Sequence, residues 1–395
     1  MLDDAFERLR ERVREQPHAR AVLAPAAAPG GRPSHAYLFH GPPGTGKASV
    51  ARAFAGALLA QGAADEEHVW ARVQRETHPD LTWVKASGAA EVLVADVEPV
   101  VAQATRTPFE SSRRVFVIEA AHTLNDQAAN RLLKTLEEPA HYVHLLLLSD
   151  RRQELLPTIA SRCLHVRFDA LPAETIARGL LAADGESLAA AEDRHERLEG
   201  GGAGDQALVH ARACARLALG DGRLAALLAG ERGRELRCAA EAFVRAALAG
   251  RSGERPWREI LDVARAAGVG AGEELSQARA EELELAPAKE RKRMERETAE
   301  ARRRVERRAR SRALELALRL GELWLRDLLC LAEGAAEVVH NLDRMSELER
   351  DLSICGPPRA PARARAGIAF FQDTRLRLAL NVSEELALEA LAYRL

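Results

Sequence analysis

Gly41-Pro42-Pro43-Gly44-Thr45-Gly46-Lys47 has the G-x-x-x-x-G-K spacing of a phosphate-binding loop. Gly41, Gly44 and Gly46 let backbone N–H groups turn toward phosphate, Thr45 lies inside the loop, and Lys47 neutralises the outer phosphate oxygens. The apolar run Ala36-Tyr37-Leu38-Phe39 precedes the loop and a helix-like stretch, Val50 to Leu59, follows it, which is the context this chemistry needs. After the lysine, however, stands Ala48, where a Ser or Thr hydroxyl would coordinate magnesium. Ser49 comes one residue late, and on a helix that rotates its side chain by about 100°. The loop therefore keeps the parts to hold ATP or ADP, whereas magnesium-dependent chemistry is compromised and magnesium binding is left open.

A second strand candidate, Val115-Phe116-Val117-Ile118, ends at Glu119-Ala120-Ala121-His122. In P-loop ATPases such a strand delivers a carboxylate to magnesium and then a Glu that activates water. Glu119 occupies the metal-side position with a longer arm, and Ala120 stands where the base belongs; a methyl group cannot accept a proton. Ala48 and Ala120 strike the same step, so a hydrolytically poor site is expected.

The elements that position these groups alternate. A third apolar run, Val143 to Leu148, is separated from the second by a helical stretch, and strands alternating with helices imply a parallel sheet with helices on both faces. After Phe168 the pattern becomes Ala/Leu/Arg helices punctuated at Gly200 to Gly204 and at Gly220-Asp221-Gly222. Three domains are expected: a nucleotide-binding domain over 1–169, a small helical domain over 170–231 and a larger all-helical domain over 232–395. The fold class is thus α/β with helical additions.

Bulk properties agree. Hydrophobic residues make up 47% and aromatics 4% of the 395, mostly Ala and Leu, which favour helix. The five cysteines lie far apart without C-x-x-C pairing, so neither zinc nor a disulfide framework is expected. Residues Met1 to Arg14 are charged throughout, and no stretch reaches the roughly 20 apolar residues of a membrane helix. A soluble, cytoplasmic protein is expected.

Leu124-Asn125-Asp126-Gln127 through Leu136-Glu137-Glu138-Pro139, together with Thr158-Ile159-Ala160-Ser161-Arg162-Cys163, resembles bacterial clamp-loader ATPase subunits of the AAA+ class. Ser34-His35-Ala36-Tyr37 and His78-Pro79-Asp80 match the same family, so the resemblance covers the first 170 residues nearly continuously. Its degenerate ATPase motifs look like the delta′ branch rather than the hydrolysing gamma/tau branch. The resemblance implies a P-loop AAA+ domain, a helical lid and a helical collar in a hetero-pentamer with gamma/tau and delta subunits of the DNA polymerase III holoenzyme. That assembly places a sliding clamp on primed DNA. It implies further that Arg162, flanked by Ser161 and Cys163, is an arginine finger acting in trans on a neighbour's triphosphate. Ser149 and Asp150 fall at the sensor position after the third strand, and Arg223 falls where the lid presents a second sensor. The four-cysteine zinc module usual in the family is missing from Gln61 to Thr77, and a zinc-free helical substitute is implied.

From Lys289 to Arg312 the chain has twelve basic and five acidic residues, which predicts an exposed helix over 289–312. A solvated face and a contact to DNA phosphates are both open for it. Next to it, Leu314 to Leu331 carries a wide Leu/Ala/Trp surface that must be buried. The segments Trp324 to Leu329 and Asn381 to Leu391 resemble the clamp-loader collar. Two other readings compete: an active gamma/tau-like ATPase using Glu119 and Ser49, and a general AAA+ helicase loader or remodeller.

Overall fold

The computed structural model describes residues 4–86, 91–183, 203–280, 288–380 and 382–395. The chain forms two compact units, Met1–Thr175 with Gly220–Gly222, and Ile176–Leu219 with Arg223–Leu395.

The first unit is built on a five-stranded parallel sheet: β1 (Ala36–His40), β2 (Leu81–Val84), β3 (Arg114–Ile118), β4 (Val143–Ser149) and β5 (Leu164–Arg167), in the order β2-β3-β4-β1-β5. Successive side chains of a strand point to opposite faces. Tyr37, Phe39, Val115, Val117, Leu146 and Leu148 accordingly enter one core, packed by α1 (Asp4–Arg12), α2 (Pro17–Ala27), α3 (Lys47–Ala60) and α4 (Glu66–Gln74). Ala36, Leu38, Phe116, Ile118, Leu145 and Leu147 enter the other, under α5 (Val94–Ala104), α6 (Asp126–Glu137) and α7 (Pro157–Ala160). The first unit is thus a parallel α/β sheet covered by helices on both faces. From β1 the chain runs toward the β2 edge, while from β4 it crosses to β5 on the far side. The ends of β1 and β4 therefore flank a topological switch point, where α/β sheets bind ligands.

β1, β3 and β4 coincide with the three apolar runs. β2 and β5 add two strands that patterning does not disclose, because each buries only part of its length: Leu81 and Val84 in β2, Val166 in β5. The segment 61–77 contains helix α4, N-capped by Asp65, whose carboxylate accepts from His68 N at 2.9 Å.

His78-Pro79-Asp80 fastens the loop before β3. Asp80 is fully buried, and its carboxylate accepts from the backbone N–H groups of Phe109, Glu110 and Ser111 and from Arg114 Nη2 at 3.0 Å. Burial alone would raise its pKa; the three N–H donors and the guanidinium outweigh that and hold it below the usual value.

α8 (Ala173–Ala183) leads into the second unit. There α9 (Ala203–Leu217), α10 (Gly222–Ala229), α11 (Glu231–Leu248), α12 (Trp257–Ala278), α13 (Ala288–Ala332), α14 (Met345–Cys355), α15 (Ala360–Ala379) and α16 (Glu384–Arg394) pack around Phe243, Trp257, Trp324 and Phe371. α13 is continuous over 45 residues, about 67 Å at a rise of ~1.5 Å per residue, and the basic run forms its N-terminal half. The expected apolar surface is buried through Leu314, Leu318, Leu323, Trp324 and Leu328. Gly268 of α12 lets this helix approach α13 closely: a Cβ there would lie 2.8 Å from Glu306 O.

Polar contacts fix the register of this helical core. The buried Asp327 accepts from Asn341 N and Asn341 Nδ2, both at 2.8 Å, and the Trp324 indole donates to Asp351 Oδ2 at 3.1 Å. Arg237, 2% exposed, donates to Asp343 Oδ1 at 2.6 Å and to Asn341 Oδ1 at 2.8 Å, and His210 Nδ1 lies 3.0 Å from Asp343 Oδ2. Among the described residues, no helix is long and apolar enough to cross a membrane.

Candidate functional site

The phosphate loop follows β1, and α3 begins at Lys47. Gly41, Gly44 and Gly46 all take positive φ, of 147°, 69° and 89°. At Gly44 a side chain is excluded twice: φ lies in the left-handed region, and a Cβ would fall 1.7 Å from Asp221 Oδ1. The Gly222 N–H also donates to Gly44 O at 3.2 Å, so the Gly220-Asp221-Gly222 turn caps the loop within the first unit. Thr45 turns inward and donates to Pro42 O at 3.0 Å. From beneath, the buried Gln16 donates to Thr45 O at 3.3 Å and to Asp169 O at 2.9 Å, while its own Oε1 accepts from Asp169 N. Gln16 was not legible as part of this site, since a lone polar residue 29 positions away carries no local signal.

Lys47 is 7% exposed. Its ammonium donates to Gly41 O at 2.8 Å and to Pro42 O, and pairs with Asp150 Oδ1 at 2.7 Å. The lysine that would meet phosphate is thus matched by carbonyls of its own loop and by a carboxylate at the end of β4. Asp150 is here the partner of Lys47. Its neighbour Ser149 is buried and its Oγ lies 3.3 Å from His122 Nδ1, linking the turn after β3 to the end of β4. Burial holds the His122 imidazole below its ordinary pKa, against the opposing pull of Asp150 and Glu154. His40 is pushed down to about 4 by burial, assisted by Arg152, His165, Arg167 and Lys47.

The metal-side groups are arranged differently. Ala48 packs against the core beneath α3, and Ser49 is half-buried on that helix. Glu119 is held toward β2, where its Oε1 accepts from Trp83 Nε1 at 2.6 Å. Ala120 sits in the left-handed region at φ 50° and ψ 44°, a conformation that costs an L-residue about 1–2 kcal/mol. The glycine cradle and Lys47 suit a phosphate, which would bring its charge to backbone N–H donors at the start of α3. The set Ala48, Glu119 and Ala120 does not suit magnesium with an activated water. Among the described residues no cluster of His, Cys, Asp and Glu is placed to hold a metal ion.

Ser161, Arg162 and Cys163 follow α7 and do not join the groups around Lys47. Arg162 is 35% exposed; it donates to Thr158 O at 2.9 Å and pairs through Nη2 with Glu137 Oε1 at 2.6 Å. Ser161 Oγ donates to Thr158 O at 3.3 Å. Cys163 is buried, its thiol donating to Ile159 O at 3.3 Å, and burial pushes its pKa up to about 12, so it packs the turn rather than reacting. Arg223 is exposed at the start of α10 in the second unit.

The family described as "DNA polymerase III, delta subunit" matches residues 16–172, the span that carries the loop, the acidic strand and Arg162. Residues 16–172 are thus similar to that family. The chain is 38% identical over 138 residues to the DNA polymerase III subunit delta′ of Pseudomonas aeruginosa, which is 33% of this chain and 42% of the relative. It is 35% identical over 157 residues to subunit delta′ of Bacillus subtilis, covering 39% and 47%. Subunit gamma/tau of Mycobacterium tuberculosis is 34% identical over 172 residues, covering 42% and 29%. The chain therefore spans under half the length of the delta′ relatives it matches.

Proposed function

We propose that this chain is a clamp-loader subunit of the DNA polymerase III holoenzyme that serves its neighbours' hydrolysis more than its own. In this reading it sits in a hetero-pentamer with gamma/tau and delta subunits, and helps place a sliding clamp on primed DNA. The observation that carries the reading is the pairing of Lys47 with Asp150 beside Ala48 and Ala120. ATP or ADP would have to displace the Asp150 carboxylate to reach Lys47, and after that no hydroxyl or base stands where magnesium and water need them.

The exposed position of Arg162 supports its role as a finger in trans. Its bond to Glu137 is a surface ion pair, of a kind worth about 0–1 kcal/mol, so the guanidinium can leave it for a triphosphate at little expense. A guanidinium presented to the phosphoryl oxygens disperses the charge that builds there during transfer. Reconstitution of the full chain with gamma/tau and delta subunits tests this. Arg162→Ala should leave assembly intact while DNA-stimulated ATP turnover falls by roughly 10³-fold or more. Unchanged turnover would exclude the finger.

The similarity to gamma/tau subunits favours a second reading, an ATPase active in its own right. Repeated ATP turnover by the purified chain alone, abolished by Lys47→Ala, would establish it.

A further inference from the structure

A groove of about 1030 Å³ runs across the second unit between α10, α11, α12, α13 and α15. Its floor is aliphatic: Leu227, Val263, Leu378 and Val382 line it, and Leu227 and Val382 remain 46% and 43% exposed. Its rim is basic. The two carboxylates on the groove are already taken, Glu315 by Arg375 and Glu384 by Arg310. Arg307, Arg312 and Arg319 also line it and have no carboxylate partner among the described residues. These three lie within 12 residues of one helix, about 18 Å at a rise of ~1.5 Å per residue.

Apolar floor and uncompensated guanidinium groups together call for an occupant that brings both hydrocarbon and anions. Nucleic acid brings the anions, but single-stranded bases bind by stacking on aromatic rings, and no aromatic side chain lines the groove. Apart from Val382, which lies between α15 and α16, every lining residue is on a helix. An extended peptide would find no strand edge to pair its backbone, whereas a helix satisfies its own N–H and C=O groups. We propose that this groove docks an amphipathic helix of a partner protein, with aliphatic side chains on the floor and Asp or Glu against Arg307, Arg312 and Arg319.

The probe is a fluorescein-labelled Leu/Glu peptide of about five helical turns, its leucines at i, i+3, i+4 and i+7. Binding to the full chain is read by anisotropy, with a Lys/Leu peptide of the same periodicity and a poly-dT strand as comparisons. The acidic peptide should bind roughly ten-fold or more tightly than the basic one, and the preference should shrink as salt is raised. The double variant Arg307→Glu/Arg312→Glu should lose roughly ten-fold in affinity for the acidic peptide and gain affinity for the basic one. Leu227→Glu should weaken the acidic peptide independently, and unchanged circular dichroism in each variant separates lost docking from lost fold. Absence of acidic-peptide binding, equal binding of both peptides to the unmodified chain, or unchanged affinity in the charge-reversed variant would overturn the proposal. Displacement of the peptide by poly-dT of higher affinity would also overturn it, and would make the face a nucleic-acid surface.

Discussion

Lys47 Nζ and Asp150 Oδ1 lie 2.7 Å apart, on segments that leave the neighbouring strands β1 and β4. An intramolecular carboxylate held this close competes with any phosphate, because only the fraction of molecules with Lys47 released is competent to bind. Asp150→Ala should therefore bind ADP about ten-fold more tightly than the unmodified chain, as measured by titration calorimetry. Equal affinities would show that Asp150 does not compete.

Asp80 gathers three backbone donors and the buried Arg114, and so secures the loop before β3. Asp80→Ala leaves a buried cation and several N–H groups unanswered, a loss of about 3–5 kcal/mol. Urea unfolding of the full chain reads this directly, and Asp80→Asn, which keeps one carbonyl acceptor, should lose less.

Two histidines, one in each unit, should answer pH in opposite directions. His210 is raised from 6.5 to about 9 by its hydrogen bond to Asp343, then by its contact with Cys214. Its contribution to stability is therefore complete below pH 6.5 and is lost as pH rises through about 9. The stability gap between the unmodified chain and His210→Gln should close over that window. In the first unit, burial lowers His144 from 6.5 to about 4. The unfolded chain takes up a proton that the folded one refuses, so stability falls as pH drops from 6.5 toward about 4. His144→Gln should not show that component of the fall. A pH-independent gap in either comparison would contradict the corresponding assignment.

At the α12–α13 crossing, two glycines should behave differently. A Cβ at Gly268 meets backbone, Glu306 O at 2.8 Å, while one at Gly272 meets the Glu306 side chain, Oε1 at 2.4 Å and Cγ at 2.6 Å, which is paired with Arg302. Gly268→Ala should destabilise by about 1–3 kcal/mol through helix displacement, whereas Gly272→Ala should lose less, because a side chain rather than backbone must shift and alanine favours helix by about 1 kcal/mol. Thermal unfolding of both variants distinguishes them, and equal losses would mean that α12 does not rest on the Glu306 backbone.

The phosphate loop, the three inner strands and the long basic helix were legible because each is written in consecutive residues: glycine spacing, unbroken apolar runs, a dense block of arginine. β2 and β5 escaped because a strand with one or two buried residues has no periodicity to detect. The polar side of the site escaped for another reason. Gln16 reaches Thr45 across 29 positions, Asp150 reaches Lys47 across the sheet, and Asp221 arrives at Gly44 from the turn before α10. None of these meetings leaves a trace in local sequence, since their spacing is set by the packing of the sheet. The losses at Ala48 and Ala120, by contrast, needed only the motif for comparison.

The buried meeting of Arg237 with Asp343 bears on how this chain can change over time. Each charge is tolerable out of water only while the other is there, so a substitution at one position strands the other inside the helical core. Sequences that share this unit should vary at 237 and 343 jointly, with His210 and Asn341 following, while the exposed pairs along α13 drift one residue at a time.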